Sequence, residues 1–326
     1  MERITERDES PIGYTWGESD DTYFLRNPEG GFRGVSENAL KLLEALADGE
    51  VVRDDLDGEA LALVERLEDK GYLRKDAPVV RIVEPDDIRL WPRFLAFVVL
   101  LGIGVFATVR EIAVLGRLDE LLTPVRLSLF AGLTVVSLII HEGGHYLASR
   151  RFIDPSVDVG TVNGILPVLK TNTDGAWMLP RNRRRWISLA GPFVELVWLV
   201  VVLGVELVVG PSLVLDALVV TTVGRVLLSL NPLIHGDGYW LMVDTFGWVN
   251  LRTRGIRDLY ERRTSAAAGY VVLSYSLPVV VLLASLSSAV ARFGPVAAVL
   301  PVGLLGFAVV RFRDRLRRLF GTLSSS

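Results

Sequence analysis

From Leu90 onward the chain is a succession of long apolar runs separated by short arginine-rich clusters. A helix needs about 20 apolar residues to cross a hydrocarbon core of about 30 Å. Six runs approach that length and predict six spanning helices: Trp91 to Val109, Leu127 to Leu147, Trp186 to Val209, Val214 to Leu233, Ala266 to Val290, and a shorter one from Pro295 to Val310. Before Leu90 the pattern is different. Thr22 to Arg26 and Gly31 to Val35 read as short strands around Asn27-Pro28-Glu29-Gly30, a turn-forming string that predicts a hairpin. Ser36 then caps a helix whose apolar face carries Leu40, Leu42, Leu43 and Leu46, until Gly49 stops it. A second helix runs from about Asp57 to Lys70, with Leu61, Val64 and Leu67 at helical spacing, before a short strand at Tyr72-Leu73.

These elements predict an α-helical polytopic membrane protein with six transmembrane helices and a small N-terminal α+β domain of winged-helix type. The expected organisation is a soluble domain over 1–80, a charged linker over 81–92, a membrane domain over 93–312 and a basic cytosolic tail over 313–326.

Composition supports the division. The chain is 50% hydrophobic and 22% charged, with a mean hydropathy of +0.39, above what a soluble core requires. The net charge of −3 hides two opposite halves: 12 basic against 23 acidic residues up to Leu90, and 23 against 15 after it, giving −11 and +8. The acidic first part argues against nucleic acid as its partner, and its first twenty residues, rich in Glu and Asp, are unlike a signal peptide. Of the Lys and Arg residues between and after the spans, seventeen fall on one side and four (Arg110, Arg117, Arg126, Arg292) on the other. The positive-inside rule then puts both termini on the cytosolic side of the membrane. With no cysteine, disulfides, thiolate metal sites and cysteine nucleophiles are excluded, so a metal would have to be held by imidazole and carboxylate.

The chemistry concentrates in His141-Glu142-Gly143-Gly144-His145, at the inner end of the second span. Residues four apart share a helix face, so both imidazoles can point at one zinc while Glu142 stands beside them to take a proton from water. Two histidines and a carboxylate within a span are costly unless used. A third ligand is offered by Asn231-Pro232-Leu233-Ile234-His235-Gly236-Asp237-Gly238, at the inner end of the fourth span. The second and fourth spans run the same way, so both motifs reach the same depth. Asp237 is favoured as the ligand, with His235 as the alternative; His235 could equally donate to an oxyanion or sit in the loop. Asn231 could hold substrate backbone or the oxyanion, or be punctuation at a helix end.

His-Glu-Gly-Gly-His in one span with Asn-Pro-x-x-x-x-Asp-Gly in a later one resembles the site-2 protease family of intramembrane zinc metalloproteases. Thr173-Asp174-Gly175-Ala176-Trp177-Met178-Leu179-Pro180 and Ser188-Leu189-Ala190-Gly191-Pro192 resemble its peptide zinc metalloprotease branch. The resemblance covers roughly 90 to 260 and implies zinc held by His141, His145 and Asp237, with Glu142 as catalytic base. The N-terminal domain resembles PqqD-like domains, which capture leader peptides of ribosomally made, modified peptides. The carriers are the hairpin, the Leu-Leu-Glu-Ala-Leu-Ala-Asp-Gly helix end and the Leu-Val-Glu-Arg-Leu helix. That family adds an extended peptide to the edge of its sheet; the alternative is a winged helix that only caps the membrane domain.

Two other features bear on the site. Val157 to Lys170 is too polar and too rich in Gly and Pro to span, and reads either as a re-entrant hairpin that lines the cavity or as a cytosolic loop. Glu195 and Arg225 fall at similar depth and are expected to form a structural ion pair. The expected activity is hydrolysis of a peptide bond near the cytosolic face, in a leader-bearing precursor. Release of a membrane-anchored regulator and a non-catalytic peptide-binding or export scaffold are the alternatives. The oligomeric state is left open by the sequence.

Overall fold

The computed structural model describes residues 2–19, 22–162, 166–234, 236–248 and 251–294. The chain divides into two units, one holding Met1–Asp158, Lys170–Pro232 and Gly236–Phe246, the other Val159–Leu169, Leu233–His235 and Gly247–Ser326.

The first unit begins with strands β1 (Glu2–Arg7), β2 (Ile12–Ser19), β3 (Thr22–Arg26) and β4 (Phe32–Val35), followed by helices α1 (Glu37–Asp48) and α2 (Gly58–Asp69) and strands β5 (Leu73–Lys75) and β6 (Val79–Val83). The sheet order is β1-β6-β2-β3-β4, with β5 also pairing β2. The β3–β4 hairpin, both helices and β5 lie where the alternation places them. Ser36 accepts the N–H of Ala39 and Asp57 that of Ala60, while Gly49 ends α1 at a φ of 72°, the left-handed conformation that favours glycine. Leu25, Leu40, Leu43, Val64 and Leu67 form the core beneath the sheet with Tyr14 and Trp16.

Three strands depart from the expected hairpin-and-helices unit. β1 and β2 precede it, and β6 occupies part of the stretch assigned to a linker, so the 80/81 boundary cuts through a strand. β6 runs parallel to β2 and antiparallel to β1, completing the sheet. β2 escapes detection because it is covered on both faces, and because glycines replace side chains at close approaches. A Cβ at Gly13 would overlap the carbonyl of Ala77, and one at Gly17 the Phe24 ring.

The helical part of this unit comprises α3 (Trp91–Glu111), a 3-10 stretch over Ile112–Leu122, α4 (Pro124–Ser149), α5 (Arg181–Val209), α6 (Leu213–Ser229) and α7 (Asp237–Phe246). Between α4 and α5 a two-stranded sheet is formed by β7 (Ser156–Val162) and β8 (Leu166–Asn172). Leu189, Leu196, Leu199, Leu218, Val219, Val223 and Val226 hold α5 against α6 and α3. The sheet joins the helices through Phe24 and Ile82, which pack with Ile153, Met178, Leu179 and Ile187. Asn182 and Arg183 reinforce this by donating to Asp87 and to the carbonyl of Asp86.

Among the described residues, three helices are long and apolar enough to cross a membrane: Trp91–Arg117, Pro124–Ser149 and Arg181–Val209. They correspond to the first three expected spans, and residues such as Phe106, Val125, Leu207 and Val208 on them are exposed. Three of the six expected spans are therefore met among the described residues. The fourth expected span is α6, of 17 residues, which stops before Asn231-Pro232 because the residue ahead of a proline is driven out of helical geometry. The sixth expected span and the basic tail lie outside the described residues.

In the second unit, α8 (Leu251–Tyr260) packs against α9 (Ala266–Phe293), the helix expected as the fifth span. Gly255 permits the approach, since a Cβ there would overlap the carbonyl of Ala267. Ser265 caps α9 and donates to Asp258 at 2.6 Å.

Candidate metal centre

The repeat of α4 places His141 and His145 on one face, one turn apart. Their Nε2 atoms lie 3.3 Å apart. Asp237, the first residue of α7, closes the group: one carboxylate oxygen is 3.2 Å from Nε2 of His141 and the other 3.3 Å from Nε2 of His145. The centre thus joins one motif inside a long helix to another at a helix start. Asp237 follows the expected fourth span and opens a new helix. Gly238 allows this, because a Cβ there would overlap the carbonyl of Leu230 at the end of α6. Arg184 donates to Asp244 at 2.7 Å and ties α7 to α5.

The tautomers follow from the partners. Nδ1 of His145 lies 2.8 Å from the carbonyl oxygen of Ile187, which only accepts, so Nδ1 carries the hydrogen and Nε2 presents its lone pair. Nδ1 of His141 likewise donates to Glu195 Oε2 at 2.8 Å. Two imidazole lone pairs and a carboxylate crowded within 4.8 Å of one another would repel without a cation between them. Ligand atoms about 2.0–2.1 Å from one tetrahedral ion lie about 3.3 Å apart, which is the spacing found. The donor set therefore fits a tetrahedral divalent ion such as zinc, with a fourth position free.

Glu195 accepts more than the His141 hydrogen. It is almost fully buried, with Arg225 2.6 Å away and the hydroxyl of Ser137 donating at 3.1 Å; Arg225 also donates to Ser137 at 2.7 Å. The expected Glu195–Arg225 pair is present, but sequence reasoning missed that it supports a candidate ligand. The signal was available in Ser137, which lies one turn before His141 on the same face of α4.

The glycines of the two motifs have separate tasks. A Cβ at Gly144 would run into Ala190 of α5, so this glycine sets the distance between α4 and α5. One at Gly191 would overlap Nε2 of His145. Gly143 has open space where a Cβ would sit.

Glu142 is not among the clustered ligand atoms. Its Oε2 accepts the backbone N–H of Thr171 in β8 at 2.6 Å, and its carbonyl accepts the Thr171 hydroxyl at 3.0 Å. Asn231 sits in the connection between α6 and α7, where its N–H donates to the carbonyl of Leu228. His235 lies outside the described residues. No protein-family model, curated protein or solved structure matches the chain significantly.

Proposed function

We propose that this chain is a membrane-embedded zinc endopeptidase of the site-2 protease type, with its N-terminal PqqD-like domain recruiting the peptide to be cut. The observation that carries the reading is the triangle of His141 Nε2, His145 Nε2 and the Asp237 carboxylate, 3.2–3.3 Å on each side, with Glu142 next in sequence to the first ligand. A zinc ion held there would polarise a peptide carbonyl and lower the pKa of water towards about 7.

The remaining chemistry belongs to the chain. Glu142, anchored through Oε2 by Thr171, takes the proton of the attacking water on Oε1 and delivers it to the departing amide nitrogen. The Asn231 side-chain amide, in the connection that follows α6, is assigned to the developing oxyanion. The substrate must be extended to be cut, and β8, which carries Thr171, offers it a strand edge. In the N-terminal sheet β4 is the last strand, so it has an edge to which a leader peptide can add beside α1. That edge favours a leader-bearing peptide over a membrane-anchored regulator as substrate. The proposal includes six spans with both termini cytosolic, so that the centre lies near the cytosolic face.

The test is zinc content and cleavage of the detergent-solubilised chain, wild type beside Glu142→Gln, with a precursor peptide from its genomic neighbourhood. Equal zinc in both proteins and cleavage by wild type alone is expected. Zinc without cleavage by either would favour a peptide-binding scaffold, and a wild type that binds no zinc would overturn the site.

A further inference from the structure

We infer that the opposite end of the helices holds a second ion site, built from Glu111, Glu206 and Asp216 and selective for calcium. These residues close α3, lie in the last turn of α5 and open α6, and each offers an oxygen within 4.8 Å of the others. Glu206 is eleven residues beyond Glu195 on α5, about 16 Å along the helix, so one ion cannot serve both centres.

A cluster of carboxylates is ordinarily solvated, but here Glu206 is buried, with Glu111 and Asp216 half-buried beside it. Glu206 is 7% exposed, and its Oε2 is buried without a hydrogen-bond partner among the described residues, as is Oδ1 of Asp216. Val114 and Leu121 of the 3-10 stretch pack with Val214 and Ala217 of α6 beside it. Arg110 supplies one positive charge, 2.5 Å from Glu111 and 3.6 Å from Glu206, while Arg117 is engaged with Glu120 at 2.7 Å. Three carboxylates against one guanidinium leave two negative charges. The dipole of α5 adds to the cost, because Glu206 sits in its last turn, where negative charge is disfavoured. A divalent cation removes both penalties at once.

The donor type selects the ion. The site offers oxygen alone, with no imidazole, which suits a hard cation rather than zinc. Oxygens about 2.3–2.6 Å from a calcium ion span up to about 5 Å, whereas magnesium requires a tighter octahedron at about 2.0–2.1 Å. Water completes the higher coordination number of calcium where protein oxygens do not.

The inference does not depend on the protease reading, and its test needs no substrate. The full-length, zinc-loaded chain in detergent is dialysed against calcium, magnesium or sodium chloride, then assayed for bound metal and thermal midpoint. Calcium is expected to be retained and to raise the midpoint more than magnesium does. Glu206→Gln and Asp216→Asn should weaken calcium binding by about tenfold or more with zinc content unchanged, since affinity follows ligand charge. Arg110→Gln should tighten it, a gain that a purely structural ion pair would not produce and that does not require the acidic variants to fold. Failure of wild type to take up calcium would mean that protons neutralise the carboxylates, and would overturn the inference. Calcium binding unchanged in Glu206→Gln, or magnesium equal to calcium, would do the same.

Discussion

Nδ1 of His141 lies 2.8 Å from Oε2 of Glu195, a buried carboxylate carried by a different helix. The contact fixes the tautomer and the ring plane of His141, and so directs Nε2 at Asp237 and His145. Outer partners of this kind raise ligand basicity and hold the ring before an ion arrives.

Glu195→Gln keeps the shape but weakens the acceptor for the His141 hydrogen. Zinc affinity should fall by about 10- to 100-fold, measured by competition with a chelating indicator, while helix content stays constant. An unchanged affinity would reduce Glu195 to a partner of Arg225 alone.

Arg225→Leu leaves the Glu195 carboxylate buried without its countercharge. Removing one member of a buried pair typically costs about 3–5 kcal/mol, so this variant should unfold at markedly lower denaturant than wild type. The double variant Glu195→Gln, Arg225→Leu should recover part of the loss, because no isolated charge remains. Its zinc affinity should stay as low as that of Glu195→Gln.

The histidine pair of the candidate centre was legible in the sequence because its signal is local. His141 and His145 are one turn apart on α4, and a histidine pair in an apolar run has few other uses. The hairpin, α1 and α2 were legible through turn residues, caps and periodicity. The missed pieces depend on contacts far along the chain. β1, with all six residues polar except Ile4, gains its place only by pairing β6, some 75 residues later. β6 is a five-residue strand broken by Arg81 and set among prolines and charges, which reads as linker until β1 and β2 flank it. The link from Glu195 to His141 was hidden for the same reason, since depth along two helices suggested Arg225 but not which face meets which.

Gly191→Ala and Gly143→Ala separate packing from sequence motif. The Gly191 Cβ would overlap Nε2 of His145, so alanine must displace the imidazole, and zinc content should drop sharply. The Gly143 Cβ meets open space, so Gly143→Ala should retain zinc and gain slightly in helix stability, by up to about 1 kcal/mol. Metal analysis of the two purified variants decides the point, and equal zinc in both would show that α5 can yield at Gly191.

Phe24→Ala tests how the sheet is held to the helices. Phe24 is buried in the cluster that joins Ile82 to Ile153, Met178 and Leu179, and a phenylalanine truncated in a core costs about 3–5 kcal/mol. The variant should become sensitive to limited proteolysis between β6 and α3, with zinc content preserved because His141, His145 and Asp237 lie outside that cluster. Protease resistance equal to wild type would show that Asn182 and Arg183 suffice to hold the sheet.

Removing the metal should expose the repulsion among the three ligands. A chelator takes away binding energy that stabilises only the folded state, about 2.7 kcal/mol when zinc stands at 100 times its dissociation constant. The thermal midpoint of wild type should therefore fall on chelation and recover with zinc. Glu142→Gln should show the same fall and recovery, because Glu142 is fixed by Thr171 and contributes no clustered ligand atom. Asp237→Ala should show neither, since two imidazoles at 3.3 Å hold an ion poorly without the carboxylate. A zinc-dependent rise in Asp237→Ala as large as in wild type would move the third ligand elsewhere, with His235 the first residue to replace next.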